Sequence, residues 1–353
     1  MKMPVKCARM NAAVHDDRAL QARNWALTQL GLKDAGFAPA SADASFRRYF
    51  RLRDGARSWI VMDAPPDKED LRPFIQIARW LRGWKLNAPE IIAEDLAQGF
   101  LLLSDLGEKT LLNVLDEQNA DAHFALALEA LIQMQQAAQN DPAVAQLPAY
   151  DAQLLWREVR LFPEWYLERH LGVKLAGDEA NELERAMGLL VRSALAQPRT
   201  FVHRDFMPRN LMAAQSNDRP VGILDFQDAV PGPISYDAVC LFKDAFLSWP
   251  AERVRGWLDD YWTRAQAAKL PVPTFEQFWR EAEWMGLQRH LKVLGIFARL
   301  THRDGKPHYV ADTPRFVRYV MDVAPKYPEL APLTAIFEKH VLPKIPSPAR
   351  GEG

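Results

Sequence analysis

The stretch 201-FVHRDFMPRN-210 decides how the rest of the chain is read. Two apolar β-formers, Phe201 and Val202, lead into His203, Asp205 and Asn210, in a segment too irregular for a helix. Polar groups delivered by a strand into a loop are costly to order unless they hold something. After the turn-rich AQSNDRP comes a second apolar run, 221–224, which ends in Asp225 and Phe226. His203, Asp205, Asn210 and Asp225 thus have the order H-x-D-x-x-x-x-N, hairpin, strand, Asp-Phe.

Each residue type has a chemical reason for its place. An aspartate, ionised at neutral pH, accepts the proton of an attacking hydroxyl and holds that oxygen in line with a γ-phosphorus, which suits Asp205. Asn210 and Asp225 offer the hard oxygens that Mg²⁺ takes while it bridges phosphates. His203 is better placed to prop the loop through hydrogen bonds than to move protons. The competing reading is that Asp205 and Asn210 cap turns, and Asp225 by itself would read as a helix cap.

The remaining sequence frames that loop. Its 353 residues, 48% hydrophobic and 25% charged, suffice for one large or two moderate domains with a core. A formal net charge of -1 gives no global basic field, so nucleic acid is not an expected partner. Two cysteines, Cys7 and Cys240, make no disulfide framework and point to a reducing compartment. Polar residues interrupt the N-terminal segment before a signal-peptide core forms, and translation from either Met1 or Met10 is compatible with it. No run approaches the ~20 apolar residues of a membrane span, so the expectation is a cytoplasmic protein without a membrane partner. Residues 1–16 read as a disordered leader and 343–353 as a tail.

Helical periodicity over 17–32 gives way to short elements. The run 45–52 alternates in part, 58–66 is β-rich until two prolines stop it, and 99–107 is a buried-strand pattern ended by turn residues. Between the last two, 69–84 is helical in pattern, with Pro73 admissible only in the first turn. Beyond Gly107 long helical patterns take over, at 121–139, 151–171, 178–195, 236–247, 274–300 and 314–323. Only the strands TFV and VGIL, on either side of AQSNDRP, interrupt them. The expected architecture is α+β and bilobal. A small antiparallel sheet with one or two helices occupies 17–104, and a larger, mainly helical lobe carrying the loop and the acceptor site occupies 105–342.

Together, FVHRDFMPRN and GILDFQDAVPGPISYDAV resemble the aminoglycoside phosphotransferase and choline kinase family, whose bilobal fold is that of the protein kinases. The resemblance runs over about residues 20–325. Within that family, ASFRRYFRL, VMDAPPDKEDLRPF and LQRHLKVLGIFARLTHRDGKPHYV are similar to bacterial kinases that phosphorylate the C1 hydroxyl of N-acetylmuramate and N-acetylglucosamine in peptidoglycan recycling. The resemblance implies ATP and Mg²⁺, Asp205 as catalytic base, Asn210 and Asp225 as metal ligands, and His203 and Asp237 as supports of the catalytic loop. It also implies that 41–48 turns over the phosphates, with Ser45 among the contacts, and that Ser104, Asp105 and Leu106 meet adenine through main-chain groups.

The chain departs from the family pattern in one place. Kinase-like folds carry a lysine on the third strand, paired with a helix glutamate, for the α- and β-phosphates. Here WIVMDAPP offers Met62. Arg47 or Arg48 on the preceding hairpin can supply the charge, because a guanidinium binds phosphate bidentately; the alternative makes both ordinary surface residues of a strand. Glu69 reads as a solvated acid of a first helical turn. Asp228, Arg299 and His302 are candidate acceptor contacts, although Asp228 equally reads as a cap and the basic run 288–303 as a solvated helix face. Trp156, Trp165, Trp249 and Trp284 offer rings that stack on a pyranose or fill a core. A polycationic aminoglycoside needs an acidic cleft that the sequence does not advertise. A small amino-sugar acceptor is therefore expected, with an aminoglycoside, a choline-like alcohol, or nucleotide binding without turnover as competing readings. Oligomeric state is left open.

Overall fold

A computed structural model of the chain describes residues 16–42, 46–214 and 220–345. Ser45, most of the N-terminal leader and the end of the tail lie outside the described residues. Contacts divide the chain into two compact units: the described residues up to Arg79 with Pro89–Leu106, and Trp80–Ala88 with the residues from Gly107 onward. The stretch Trp80–Ala88, which falls in the first lobe on sequence grounds, therefore counts with the second unit.

In the first unit, α1 (Asp17–Leu30) starts at Asp16, whose carboxylate accepts the Ala19 amide at 3.0 Å. An antiparallel sheet follows: β1 (Gly36–Ala42), β2 (Arg48–Asp54), β3 (Arg57–Asp63), β4 (Ile91–Asp95) and β5 (Phe100–Ser104), in the order β1-β2-β3-β5-β4. Alternation along β2 turns Phe50 and Leu52 inward, against Val61, Phe100, Leu102 and the Ala22, Ala26 and Leu27 side of α1. β1 and β4 escape the periodicity because GFAPASA and IIAED are small, acidic or proline-containing. Pro39 is tolerated because β1 is an edge strand whose register shifts between Pro39 and Ser41. Gly99 turns β4 into β5 at φ +74°, and a Cβ there would lie 2.0 Å from the Ala64 carbonyl oxygen. The helix α2 (Arg72–Gly83) begins three residues later than its pattern predicts and holds Pro73 in its first turn.

The second unit contains α3 (Ala120–Gln139), α4 (Ala152–Val159), α5 (Gly177–Ala196), α6 (Tyr236–Phe242), α7 (Ala251–Ala267), α8 (Phe275–His302), α9 (Thr313–Met321) and α10 (Ala331–Ile336). Leu155, Phe162, Leu190, Leu291, Leu294 and Phe337 are among the side chains that close its core. The single helix expected over 151–171 is split, because Pro163 cannot donate its amide: α4 stops at Val159 and Phe162–His170 continues as wider π-helical turns.

The strands around the His203–Asn210 loop pair differently from their order in sequence. Antiparallel pairing joins β6 (Arg199–Val202) to β9 (Val230–Pro233), and β7 (Leu211–Met212) to β8 (Gly222–Ile223). TFV therefore belongs to one ribbon and VGIL to another. Prolines 231 and 233 hide β9 from a propensity reading, yet a two-stranded ribbon has only edges, where a missing donor is tolerated. Among the described residues no helix is long and apolar enough to cross a membrane.

Candidate active site

The loop after β6 hangs on one buried carboxylate. Asp237, in the first turn of α6, accepts the His203 amide at 2.7 Å and the Arg204 amide at 3.0 Å. Burial pushes Asp237 up to about 7 against the lowering effect of those two donors. His203 is buried as well, and desolvation pulls its imidazole down to about 4, so the ring is neutral at physiological pH. Its Nδ1 accepts the Asp205 amide at 3.3 Å. Both residues thus act on the loop's backbone.

The Asp205 carbonyl accepts the Asn210 Nδ2 at 3.0 Å and the Met207 amide at 2.9 Å. Its carboxylate, in contrast, makes no hydrogen bond among the described residues. Asn210 Nδ2 also reaches Asp225 Oδ2 at 3.1 Å, and the Leu224 amide donates to the Asn210 carbonyl at 3.0 Å, so the hairpin end and the loop are stitched together. Asp225 has left-handed backbone, φ +62°, a conformation aspartate adopts more readily than most residues. Gln227 Nε2 donates to its Oδ1 at 2.8 Å. Asn210 Oδ1 makes no hydrogen bond among the described residues. These donors pass a test for Mg²⁺: one amide oxygen and one carboxylate, all hard oxygens, match an ion that keeps water and takes phosphate oxygens for its other positions. Among the described residues no cluster of three His, Cys, Asp or Glu side chains could hold a metal ion.

Beneath the loop lies a charge network that motif reading did not reveal. Arg204, between His203 and Asp205, stands at φ +76° with its Nη2 2.6 Å from Glu158 Oε1. Lys292 Nζ reaches the same oxygen at 3.0 Å and the Tyr236 hydroxyl at 3.1 Å. The Tyr150 hydroxyl donates to Glu158 Oε2 at 2.6 Å, and Gln288 Nε2 donates to it at 3.2 Å. Burial works to raise the Glu158 carboxyl, but Lys292 and Arg204 together bring it down to about 2. Arg204, Lys292 and Arg289 all interact electrostatically with Asp205. The run 288–292 is consequently no solvated face: Gln288, Arg289 and His290 are buried. A signal for Glu158 did exist, since it lies three residues after Leu155 and next to Val159, on the face of α4 that enters the core.

Other candidates are dispersed. Asp228 is exposed; its carbonyl faces Arg204 Nη1 at 3.5 Å and its carboxylate faces Gln227 Nε2 at 3.5 Å. Arg299 and His302 lie on α8 about 15 Å and 20 Å further along the axis than Arg289, by the rise of an α-helix. His302 Nε2 meets His170 Nδ1 at 3.2 Å, and no contact ties either residue to the loop. Trp284 is buried edge-on to Tyr327, Trp249 belongs to a Phe124–Trp257 cluster, and Trp156 and Trp165 line the core.

Within the first unit, the two arginines of the hairpin part company. Arg47 Nη2 lies 3.1 Å from Glu69 Oε2, with both side chains mostly shielded, and the Phe46 amide donates to Glu69 Oε1 at 3.4 Å. Glu69 precedes α2 and is a partner of Arg47 instead of a solvated acid of its first turn. Arg48 is engaged elsewhere: its Nε donates to Asp63 Oδ2 at 3.0 Å, and it also bonds Asp16. Met62 is fully buried in β3. The Ser104 amide and hydroxyl pair with the Glu90 main chain, each at 2.9 Å, and the Asp105 carboxylate takes Arg51 bidentately at 2.6 and 3.0 Å. Leu106 closes this unit.

Comparison with known proteins agrees with this architecture. A model of the phosphotransferase enzyme family matches residues 36–282. The N-acetylmuramate/N-acetylglucosamine kinase of Pseudomonas aeruginosa is 56% identical over 296 residues, 84% of this chain and 86% of that protein. That of Pseudomonas putida is 52% identical over 330 residues, 90% of this chain and 95% of the relative. The ADP-bound crystal structure of aminoglycoside phosphotransferase APH(2'')-Ib superimposes with a TM-score of 0.58 at 15% identity, covering 85% of this chain and 97% of that one. The fold is thus the protein-kinase-like one.

Proposed function

The chain belongs to the phosphotransferase enzyme family, and from that premise we propose that it transfers the γ-phosphoryl group of ATP to the anomeric hydroxyl of an amino sugar, N-acetylmuramate or N-acetylglucosamine. The observation that carries this reading is kinship at 52–56% identity, over most of the chain, with kinases named for those two sugars. The loop geometry supports it. Asp205 presents a carboxylate with no hydrogen-bond partner among the described residues, on a backbone held by Asp237 and Asn210. It accepts the C1 hydroxyl proton as the sugar oxygen bonds to phosphorus and the bond to the β-phosphate oxygen breaks, leaving ADP. Asn210 Oδ1 and the Asp225 carboxylate would hold Mg²⁺, which when bound would supply charge neutralisation on the phosphate oxygens. Arg47, oriented by Glu69, is the phosphate-binding cation that stands in for the third-strand lysine.

The test is incubation with ATP, Mg²⁺ and, separately, N-acetylmuramate, N-acetylglucosamine, kanamycin and choline, followed by mass spectrometry. The expected product is an amino-sugar phosphate that has lost its reducing end. Phosphorylated kanamycin or choline without sugar phosphate would overturn the acceptor assignment, and nucleotide binding with no product would overturn the kinase reading.

A further inference from the structure

We infer that Glu158 is a positioning residue for phosphoryl transfer: by clamping the left-handed Arg204 it sets the direction of the Asp205 carboxylate. The inference rests on the kinase reading above. Its starting point is what the base lacks. No hydrogen bond to the Asp205 carboxylate orients it among the described residues, so its direction follows from the backbone at 204 and 205. That backbone is strained. Arg204 has φ +76°, in a region that is unfavourable for a non-glycine residue and that persists only where the surroundings hold it.

The surroundings hold Arg204 from both ends. Its amide is fixed by Asp237 at 3.0 Å, and its guanidinium is drawn to Glu158 at 2.6 Å. Its other contacts are weak, Cys240 Sγ to its carbonyl at 3.7 Å and Nη1 to the Asp228 carbonyl at 3.5 Å, so Glu158 is the strong anchor of the side chain. Glu158 is suited to the second task because it has no freedom of its own. Its side chain is 5% exposed, Oε1 takes Arg204 and Lys292, and Oε2 takes Tyr150 and Gln288. Lys292 is braced in turn by Tyr236, which neighbours the anchor Asp237 in α6. A buried carboxylate with both oxygens engaged is rigid, and that rigidity passes through one guanidinium to the residue before the base.

The experiment compares wild type, Glu158→Gln and Tyr150→Phe, measuring kcat, KM for ATP and for the amino sugar, melting temperature, and nucleotide-binding stoichiometry by calorimetry. Glu158→Gln should lower kcat per nucleotide-binding molecule about 10²-fold, as displacement of a catalytic group by about 1 Å does, with both KM values within about threefold of wild type. Tyr150→Phe removes one of two donors to the other carboxylate oxygen and keeps the Arg204 pair, so the loss in kcat should be several-fold and well short of that of Glu158→Gln. Should Glu158→Gln not fold, Arg204→Lys decides. It keeps the charge, loses the planar fork, and should lower kcat at least about tenfold with stoichiometry unchanged. Wild-type kcat per binding-competent molecule in the decisive variant overturns the inference, as does a Tyr150→Phe loss equal to that of Glu158→Gln, which would mark the network as packing only. A wild-type protein that phosphorylates no acceptor would instead break the kinase reading.

Discussion

Arg48 in the sheet unit and Arg204 in the helical unit each bind a carboxylate distant in sequence, Asp63 at a separation of 15 residues and Glu158 at 46. The two clamps are built to different ends. Asp63 is shared by Arg48 and Arg18, and the second partner of Arg48, Asp16, is itself 46% exposed. Loss of either arginine leaves the buried Asp63 with one counter-charge, and the exposed Arg48–Asp16 pair contributes about 0–1 kcal/mol. Glu158 is likewise buried and likewise carries two cations, but one of them, Arg204, adjoins the residue expected to do chemistry. The first clamp braces the sheet, whereas the second, on the inference above, sets the geometry of the loop.

The largest effect that bears on this contrast is at Asp205 itself. Asp205→Asn should keep the melting temperature and nucleotide binding while lowering kcat about 10²–10⁴-fold, the usual contribution of a positioned base. Wild-type turnover would remove the reason for the loop's elaborate support.

A second test separates the clamps by acid. The Glu158 carboxyl is held at about 2 in the folded chain, against 4.5 for an ordinary glutamate. The unfolded state binds the proton first as pH falls, so the stabilisation is fully present above about pH 4.5 and is lost as pH drops toward about 2. Denaturant unfolding of the wild type should lose on the order of 3 kcal/mol across that window from this group, and Glu158→Gln should lack that component. Identical slopes in the two proteins would show that the charge pairing contributes nothing net.

The smallest effects are in the sheet unit, where the two adjacent arginines should behave differently. Arg47→Ala should raise KM for ATP about tenfold, equivalent to about 1.4 kcal/mol, because it removes a phosphate cation. Arg48→Ala should leave that KM unchanged and show its cost in melting temperature alone, since it takes one of two cations from the buried Asp63 carboxylate and leaves Arg18. Equal KM values in both variants would dissolve the distinction between a ligand-facing and a structural arginine.

Much of this was legible in the chain because it is local. A helix of period 3.6 over 121–139, the alternation of RYFRL and the turn chemistry around 214–220 involve neighbours in sequence, and the loop H-x-D-x-x-x-x-N is short enough that its polar groups converge by chain geometry. What was hidden had weak propensity or a partner far away. The strands β1, β4 and β9 contain Pro39, two acids or two further prolines, and form because a neighbouring strand completes their hydrogen bonds. The basic run 288–292 reads as solvated by composition and is buried, because its partners Glu158 and Tyr236 come from helices 130 and 56 residues away.

By itself, then, the sequence determined the apolar and polar patterning, the spacing of His203, Asp205, Asn210 and Asp225, and a third strand, WIVMDAPP, without a lysine. Only the tertiary structure decided that Arg47 takes Glu69 while Arg48 takes Asp63, and that Glu158 lies under Arg204. The reason is physical. Covalent geometry and propensity act within a few residues, whereas the choice of partner for a charge depends on which groups lose their water together when distant segments pack.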